Sequence, residues 1–220
     1  MADADRIALL ELLVKQQVLK FGDFVLKSGR HSPYFFNLGA ISTGAAITRL
    51  ADAYAARIAA LGLDYDTVFG PAYKGIPIAV ATSEALARAG RDAGWSFNRK
   101  EAKDHGEGGQ FVGAPVTGRV LLVDDVLTAG TAVREAVALI RAVGGTLVGV
   151  VIALDRQERV DGGATAVRAL ETEIGVPVVS ILTLQDVIEY LDLSSGSDKH
   201  PATLLAAMKA YQAEFCERGR

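Results

Sequence analysis

The sequence contains very little cysteine, since Cys216 is the only one among its 220 residues. A disulfide within the chain and a metal site built from several cysteines are therefore both excluded. Chains without disulfides are typical of reducing compartments. We therefore expect a cytoplasmic protein.

An excess of positive charge and long apolar runs are also missing. The 23 Lys and Arg residues face 26 Asp and Glu residues, whereas general nucleic-acid binders are usually basic. The longest strongly apolar run, residues 147 to 154, is far too short to cross a bilayer. The start, MADADRIALLELLVKQ, is typical of an amphipathic helix rather than a signal peptide. We expect neither a nucleic-acid nor a membrane partner.

Two common phosphate-binding motifs are absent as well, namely GxxxxGK[ST] and GxGxxG. The composition is that of a globular protein, because 50% of the residues are hydrophobic and 22% are charged. The length suits one α/β domain, with no internal repeat.

From residue 67 onward the pattern alternates between strands and helices. The strands read as continuous Val, Ile and Leu runs, which indicates a parallel sheet covered by helices on both faces. The predicted strands are residues 66–70, 119–125, 146–155 and 177–182, and the predicted helices are residues 74–90, 130–143 and 164–175.

The N-terminal part has a different pattern. Helical spacing predicts helices over residues 4 to 20 and 45 to 61, with short strands and loops between them. We predict a single domain with a small N-terminal hood lobe (roughly 1–43), an α/β core (roughly 44–195) and a C-terminal helix (199–217). Residues 98 to 115, rich in charge and glycine, are predicted to form a long mobile loop.

Two adjacent carboxylates, Asp124 and Asp125, end the strand that starts the stretch LLVDDVLTAGTA. Small residues follow and lead into a helix, whose N-terminus favours an anion. Phosphate and carboxylates together suit a phosphorylated sugar, because carboxylates accept hydrogen bonds from ribose hydroxyls and can help to hold a divalent ion. The alternative is that one Asp merely caps the helix.

VLLVDDVLTAGTA resembles the signature of the type I phosphoribosyltransferases, which bind 5-phosphoribosyl-1-pyrophosphate. Purine, uracil and orotate enzymes share it, and so do some regulators. FVLKSGRHSPYFFNLG, GPAYKGIPIAVA and NRKEAKDHGEGG resemble the orotate phosphoribosyltransferases, and SILTLQDVIEYL is similar to their closing segment. Together these stretches run from about residue 21 to 191.

The resemblance implies a type I phosphoribosyltransferase-like fold, Mg²⁺ as cofactor, and a homodimer whose lid loop reaches the neighbouring active site. It implies catalytic roles for Lys103, His105, Asp124 and Asp125. The implied contacts to 5-phosphoribosyl-1-pyrophosphate are Lys27, Tyr73, Lys74, Arg99, Lys100, Lys103, His105, Asp124, Asp125, Val126, Leu127, Thr128, Ala129, Gly130, Thr131 and Ala132. The implied orotate contacts are Phe35, Phe36, Lys27, Thr128 and Arg156, and no direct protein ligand to the metal is assigned.

These assignments have plain alternatives. The charged residues of 98 to 115 could form a solvated face, since acids alternate with bases there. Adjacent aromatics usually divide between the two faces of a strand, so one ring of Phe35 and Phe36 is expected to touch a base. Arg156 could instead pair with Asp155 or Glu158.

His31 and His200 receive no role. Two rival functions stay open, namely a phosphoribosyltransferase that uses a purine or uracil, and a non-catalytic regulator that keeps the donor site as a sensor.

Overall fold

The computed structural model describes residues 3–26, 29–103, 109–127, 130–160, 163–194 and 201–217, with backbone alone for residues 102 and 103. The helices are α1 (Asp3–Lys15), α2 (Gly44–Leu61), α3 (Gly75–Arg88), α4 (Thr131–Ala142), α5 (Ala166–Ile174), α6 (Leu184–Ser194) and α7 (Ala202–Phe215). The strands are β1 (Leu19–Val25), β2 (His31–Phe36), β3 (Thr67–Gly70), β4 (Gly94–Lys103), β5 (Gly109–Gly113), β6 (Arg119–Val126), β7 (Thr146–Asp155) and β8 (Val178–Thr183).

The described chain contains a six-stranded sheet in the order β5-β4-β3-β6-β7-β8. Strands β4, β3, β6, β7 and β8 are parallel, and only β5 pairs antiparallel, at one edge. Parallel strands place all their carboxyl ends along one edge, which is where ligands bind in open α/β sheets. The predicted parallel sheet is confirmed.

Helices cover both faces of this sheet, as the apolar strands predicted. On β6, Leu121 and Val123 pack into a cluster with α1, α2, α3, α6 and α7. Val120 and Leu122 point the other way, into a cluster with α4 and α5. Because successive side chains of a strand face opposite sides, a strand buried on both faces needs an unbroken apolar sequence.

Strands β1 and β2 form a separate antiparallel hairpin. Tyr34 and Phe36 of β2 join the same hydrophobic cluster as Leu121, so the hairpin is packed onto the core. This hairpin occupies the region of the proposed hood lobe; the boundaries given above for hood, core and terminal helix stay a prediction.

Helix α1 is shorter than predicted, because it ends at Lys15 rather than near residue 20. Gln17 adopts a φ of 57°, a left-handed conformation that ends the helix. Val18, directly before β1, is fully buried and therefore apolar. Its spacing from the apolar residues of α1 matches a helix, although the helix has already ended.

The prediction of a long loop over residues 98 to 115 is wrong for residues 98–103 and 109–113. These residues belong to β4 and β5, which pair antiparallel with Asn98 opposite Phe111 and Lys103 opposite Gly109. The pairing is at the sheet edge, where many side chains are exposed, so no apolar period marked the strands. The tip, residues 104 to 108, lies outside the described residues.

None of the helices in the described part of the chain is both long enough and apolar enough to span a membrane.

The turn between β3 and α3 depends on two glycines, Gly70 and Gly75. A Cβ on Gly75 would lie 2.7 Å from the carbonyl carbon of Gly70 and 2.7 Å from Cδ of Pro71. Real Cβ atoms essentially never approach so closely, so the strand end and the helix start touch through backbone alone. This contact fixes the place of Lys74.

We expect Gly75→Ala to push the start of α3 away from β3 and to lower the free energy of unfolding by about 1–3 kcal/mol, as overpacked sites do. Urea denaturation measures the loss. Gly44→Ala is the matched control, because a Cβ there meets nothing within 4 Å. Equal urea midpoints for Gly75→Ala and the wild type would show that the contact is not restrictive.

Candidate functional site

The acidic pair lies at the carboxyl end of β6 and is buried. Asp124 and Asp125 are each 7% exposed. Oδ1 of Asp124 accepts a hydrogen bond from the N–H of Asp125 at 2.9 Å, and Oδ1 of Asp125 accepts one from the N–H of Val126 at 2.8 Å. Neither carboxylate caps α4, whose N-cap is Gly130. The capping alternative is therefore wrong.

Lys74 supplies the positive charge that faces this pair. Its Nζ lies 2.7 Å from Oδ2 of Asp125, and its side chain is 50% exposed. An ammonium group has three donors, so Lys74 can hold Asp125 and still donate to a second anion. The structure thus brings the predicted residues Lys74 and Asp125 into direct contact, although they are 51 positions apart.

Tyr73 and Lys100 lie next to Lys74. Tyr73 is 69% exposed, and Nζ of Lys100 lies 5.4 Å from the centre of its ring. The N–H of Ala72 donates to Oδ1 of Asn98 at 3.1 Å, which ties the β3–α3 turn to β4. Cations from β4 and from the turn therefore share one region at the edge of the sheet.

Asp124 has a strongly raised pKa of about 7. Burial is the main cause, and the negative charge of Asp125 adds to it; the N–H of Asp125 and the Lys74 ammonium partly offset both. A cation or several hydroxyl donors beside Asp124 would favour its ionised form.

The start of α4 is open to an anion. Gly130 has a φ of 72° and provides no side-chain hydrogen bond to the first turn. The first N–H groups of a helix have no partner within the helix, and the helix dipole is positive there. The N–H groups of Thr131 and Ala132 therefore have no partner within α4, and this end of the helix favours an anion. Thr128 and Ala129 lie outside the described residues.

The remaining predicted cations are only partly described. Nη1 of Arg99 donates to the carbonyl of Gly109 at 3.0 Å across the β4–β5 hairpin. Lys103 is the last residue of β4, and the structure describes its backbone but not its side chain. His105 and Lys27 lie outside the described residues.

Arg156 follows the end of β7 and is nearly buried, with 11% of its side chain exposed. Its Nη2 lies 2.6 Å from Oε1 of Glu158, so the alternative that Arg156 pairs with Glu158 is confirmed. The pair is nearly buried rather than on the surface. Its guanidinium carbon lies 4.6 Å from the centre of the Tyr34 ring. Burial lowers the pKa of Arg156, but the surrounding Tyr34 and Glu158 more than offset this and raise it.

The two phenylalanines of β2 face opposite ways. Phe36 is 7% exposed and packs in the core, whereas Phe35 is 38% exposed and packs 5.5 Å from the ring of Phe24. Tyr34, which stacks on Arg156, is on the Phe36 face of the strand. Phe35 and Tyr34, the residue that contacts the Arg156 guanidinium, therefore lie on opposite faces of β2.

A cavity of about 1210 Å³ lies between the β1–β2 hairpin and α7. Its lining contains Tyr211 and Phe215 but neither the acidic pair nor Lys74. The candidate site is therefore better defined by its converging charges than by cavity size.

Three residues that support the site, Tyr54, Asn98 and Tyr211, were missed by sequence reasoning, and a fourth, Glu158, was named only as an alternative partner of Arg156. The Tyr54 hydroxyl donates to the backbone carbonyl of Asp124 at 2.7 Å, which fixes the end of β6. Asn98 holds the β3–α3 turn, and Glu158 and Tyr211 contact Arg156. Tyr54, Asn98 and Tyr211 carry no sequence signal, because each makes its contact across 26 or more positions of the chain.

Within the described residues no three His, Cys, Asp or Glu side chains converge on a metal position. Among the residues that the structure describes, the carboxylates near the site are those of Asp124 and Asp125. Such a set fits Mg²⁺, which is usually bound by one or two carboxylates together with substrate phosphates and waters.

Comparisons with known proteins agree with this geometry. A model of the phosphoribosyl transferase domain matches residues 37–179. Orotate phosphoribosyltransferase of Thioalkalivibrio sulfidiphilus is 55% identical over 207 residues, which cover 94% of this chain and 95% of that protein. The Pseudomonas aeruginosa enzyme of the same name is 52% identical over 207 residues, with the same coverage.

Solved structures give the same result. Orotate phosphoribosyltransferase of Francisella tularensis has a TM-score of 0.83 and 39% identity, covering 96% of this chain and 100% of that one. The Mycobacterium tuberculosis enzyme in complex with 5-phospho-alpha-D-ribosyl 1-diphosphate has a TM-score of 0.64 and 30% identity, covering 83% of this chain and 98% of that one.

The raised pKa of Asp124 predicts a pH-dependent stability of the ligand-free protein. The folded state keeps a proton on Asp124 that the unfolded chain releases near its ordinary pKa of 3.8, so the contribution of Asp124 to the free energy of unfolding falls as pH rises from about 4 to about 7. We expect Asp124→Asn to be more stable than the wild type at pH 8, by on the order of 2 kcal/mol.

Thermal unfolding without Mg²⁺ or donor at pH 4.5 and pH 8 measures the effect, and the advantage of the variant should shrink at the lower pH. Asp92→Asn, at an exposed position, is the control. An advantage of equal size at both pH values would contradict the assignment.

Proposed function

The chain belongs to the phosphoribosyltransferase family, among its orotate phosphoribosyltransferases, and we propose that it transfers phosphoribosyl from 5-phosphoribosyl-1-pyrophosphate to N1 of orotate. The chain is thus an enzyme of the glycosyltransferase class that acts in pyrimidine biosynthesis. The products would be orotidine 5′-monophosphate, a precursor of UMP, and pyrophosphate. The observation that carries the proposal is the buried acidic pair beside the uncapped start of α4.

In this proposal the donor lies along the carboxyl edge of the sheet. The 5′-phosphate binds the segment from Val126 to Ala132, where the first-turn N–H groups of α4 supply donors without a competing side-chain cap. Asp124 and Asp125 accept hydrogen bonds from the ribose hydroxyls. A receptor with both parts selects a phosphorylated sugar over free phosphate.

The pyrophosphate binds to the cations on the other side of the acidic pair. Lys74 is held by Asp125 and keeps two of its three donors for phosphate oxygens. Tyr73 and Lys100 lie beside it, and Arg99 is on the same strand as Lys100. The proposal also assigns contacts to the donor to Lys27, Lys103 and His105, because the resemblance to the family implies them.

Mg²⁺ is the proposed cofactor. When bound, it would neutralise part of the pyrophosphate charge and orient the donor. Asp124 and Asp125 are the residues that would lie nearest to it, mainly through ribose oxygens and waters.

The acceptor is recognised by Arg156 in this proposal. A guanidinium group pairs with a carboxylate through two parallel hydrogen bonds, and among pyrimidine bases a carboxylate distinguishes orotate from uracil. The β2 residues Phe35 and Phe36, together with Lys27 and Thr128, are the other proposed contacts. Since Phe36 is buried, Phe35 is the ring that remains exposed to a ligand.

Catalysis would come from position and charge rather than from covalent chemistry. Loss of pyrophosphate leaves positive charge on the ribose and negative charge on the leaving group, so preorganised donors such as Lys74 and Lys103 lower the barrier. Water competes with orotate for the activated sugar. A lid formed by the β4–β5 hairpin, with Lys103 and His105, would exclude it.

We also propose a homodimer in which the hairpin of one subunit closes over the site of the other. Two exposed apolar side chains at the base of this hairpin, Trp95 of β4 and Val80 of α3, support a subunit contact there. The proposed location is the cytoplasm, which the single buried and unpaired Cys216 supports.

The proposed reaction predicts that orotate absorbance falls when protein, Mg²⁺, orotate and 5-phosphoribosyl-1-pyrophosphate are mixed. Omission of the donor from one arm is the control and should leave orotate unchanged. A panel of adenine, hypoxanthine and uracil should give no turnover. Turnover of one of these bases but not of orotate would favour a different acceptor, and donor binding without any turnover would favour a sensor.

We expect Lys103→Ala to lower kcat by roughly two to three orders of magnitude, as removal of one donor to a developing charge does. The Kd for the donor should rise by less than about tenfold, because this contact tightens in the transition state. Steady-state kinetics and equilibrium binding measure the two quantities. Glu101→Gln, on the same strand, is the control and should retain activity. Equal losses in binding and in kcat/KM would contradict a transition-state role.

Mixing tests whether the lid acts across subunits. Lys103→Ala and Asp125→Asn proteins, each inactive alone, are unfolded together and refolded. If the lid acts on the partner, mixed dimers contain one intact site and activity returns. No recovery would contradict the shared lid.

A further inference from the structure

Three separate parts of the chain meet around Glu158. Arg156 and Glu158 come from the segment after β7, Arg30 precedes β2 in the hood, and Tyr211 is on α7. The Tyr211 hydroxyl donates to Oε1 of Glu158 at 2.6 Å, and Nη1 of Arg30 lies 3.4 Å from Oε2. Glu158 is thus contacted on both carboxylate oxygens.

Arg156 is held at one edge only. Its Nε and Nη2 lie 2.8 Å and 2.6 Å from the same oxygen of Glu158, and the Tyr34 ring covers the guanidinium face. Nη2 also lies 3.5 Å from the Tyr211 hydroxyl. Nη1 makes no hydrogen bond to any residue that the structure describes. The edge that contains Nη1 is therefore the one left for a ligand.

Glu158 is a counter-ion that two guanidinium groups share, those of Arg30 and Arg156. A nearly buried guanidinium group whose counter-ion is shared gains from a further anion. A carboxylate on the acceptor supplies that charge.

The backbone around Arg156 is tied to the end of the chain. Glu158 forms a β-bridge with Cys216. The N–H of Arg159 donates to the carbonyl of Phe215 at 2.9 Å, and the N–H of Glu217 donates to the carbonyl of Gln157 at 2.9 Å. The residues after α7 therefore brace the segment that contains Arg156.

We propose that Glu158 and Tyr211 are positioning residues for Arg156, so that α7 takes part in selecting the acceptor. The inference rests on the proposed function, in which Arg156 pairs with the orotate carboxylate. A free arginine loses side-chain entropy when it binds, whereas one already fixed at Nε and Nη2 loses less. Glu158 and Tyr211 act on orotate only through Arg156.

The test uses full-length Tyr211→Phe, Glu158→Ala, Glu158→Gln and Arg156→Ala. Tyr211→Phe and Glu158→Ala should each raise the KM for orotate roughly tenfold, the size of one lost hydrogen bond to a charged group. The KM for the donor and kcat should stay within about twofold. Glu158→Gln keeps an acceptor for Nε and should have a smaller effect than Glu158→Ala.

Glu217→Gln is the matched control, because Glu217 pairs with Arg168 at 2.9 Å in the same terminal region without contacting Arg156. Thermal unfolding identifies any variant that loses its fold; Tyr211→Phe, which keeps the ring, is the variant expected to retain stability. In an Arg156→Ala background, Tyr211→Phe and Glu158→Ala should change the orotate KM no further.

A further increase of the orotate KM in the Arg156→Ala background would overturn the positioning role. So would an unchanged orotate KM in both Tyr211→Phe and Glu158→Ala while Arg156→Ala raises it. A wild-type orotate KM for Arg156→Ala overturns both the pairing of Arg156 with orotate and the inference. Failure of the proposed function is recognised separately, because the wild type then consumes no orotate, and this outcome also overturns the inference.

Discussion

Two adjacent carboxylates buried at the end of a central strand are the constraint on which the candidate site depends. Burial and the neighbouring Asp125 charge oppose the ionisation of Asp124 and raise its pKa, and the N–H of Asp125 together with Lys74 partly offsets this effect. Lys74 can reach Asp125 only because Gly70 and Gly75 let α3 start in contact with the end of β3. Close backbone packing at this turn thus places the charge that the ligand needs.

A second network connects the C-terminus of the chain to the same edge of the sheet. Arg156 is an internal ion-pair partner of Glu158 and also the proposed contact to the acceptor, and these two roles are compatible because they use different edges of one guanidinium group. Tyr34 covers its face, so the hood, the core and α7 all contribute to its orientation. The donor half of the site depends mainly on the sheet, whereas the acceptor half depends on packing between distant segments.

The strands β6 and β7 and the helices α3 and α4 could be predicted closely, because burial on both faces imposes an unbroken apolar sequence and helix ends have local signals. Strands β4 and β5 could not, since exposed edge strands rich in charge have no apolar period. At Val18 the error is the opposite, because a helix was predicted where there is none. Val18 is buried directly before β1, but its spacing from the preceding apolar residues matched a helix. Periodicity reports which positions are buried, and it does not report which element buries them.

The sequence by itself determined the parallel sheet, the acidic pair with the helix start that follows it, and the family. These features are local or depend on stretches that resemble known relatives. Only the tertiary structure decided that Lys74 pairs with Asp125, that Tyr54 supports the end of β6, and that Glu158 and Tyr211 hold Arg156. The physical reason is separation: most of these contacts join residues more than fifty positions apart, and their geometry exists only after the sheet, the hood and α7 have packed together.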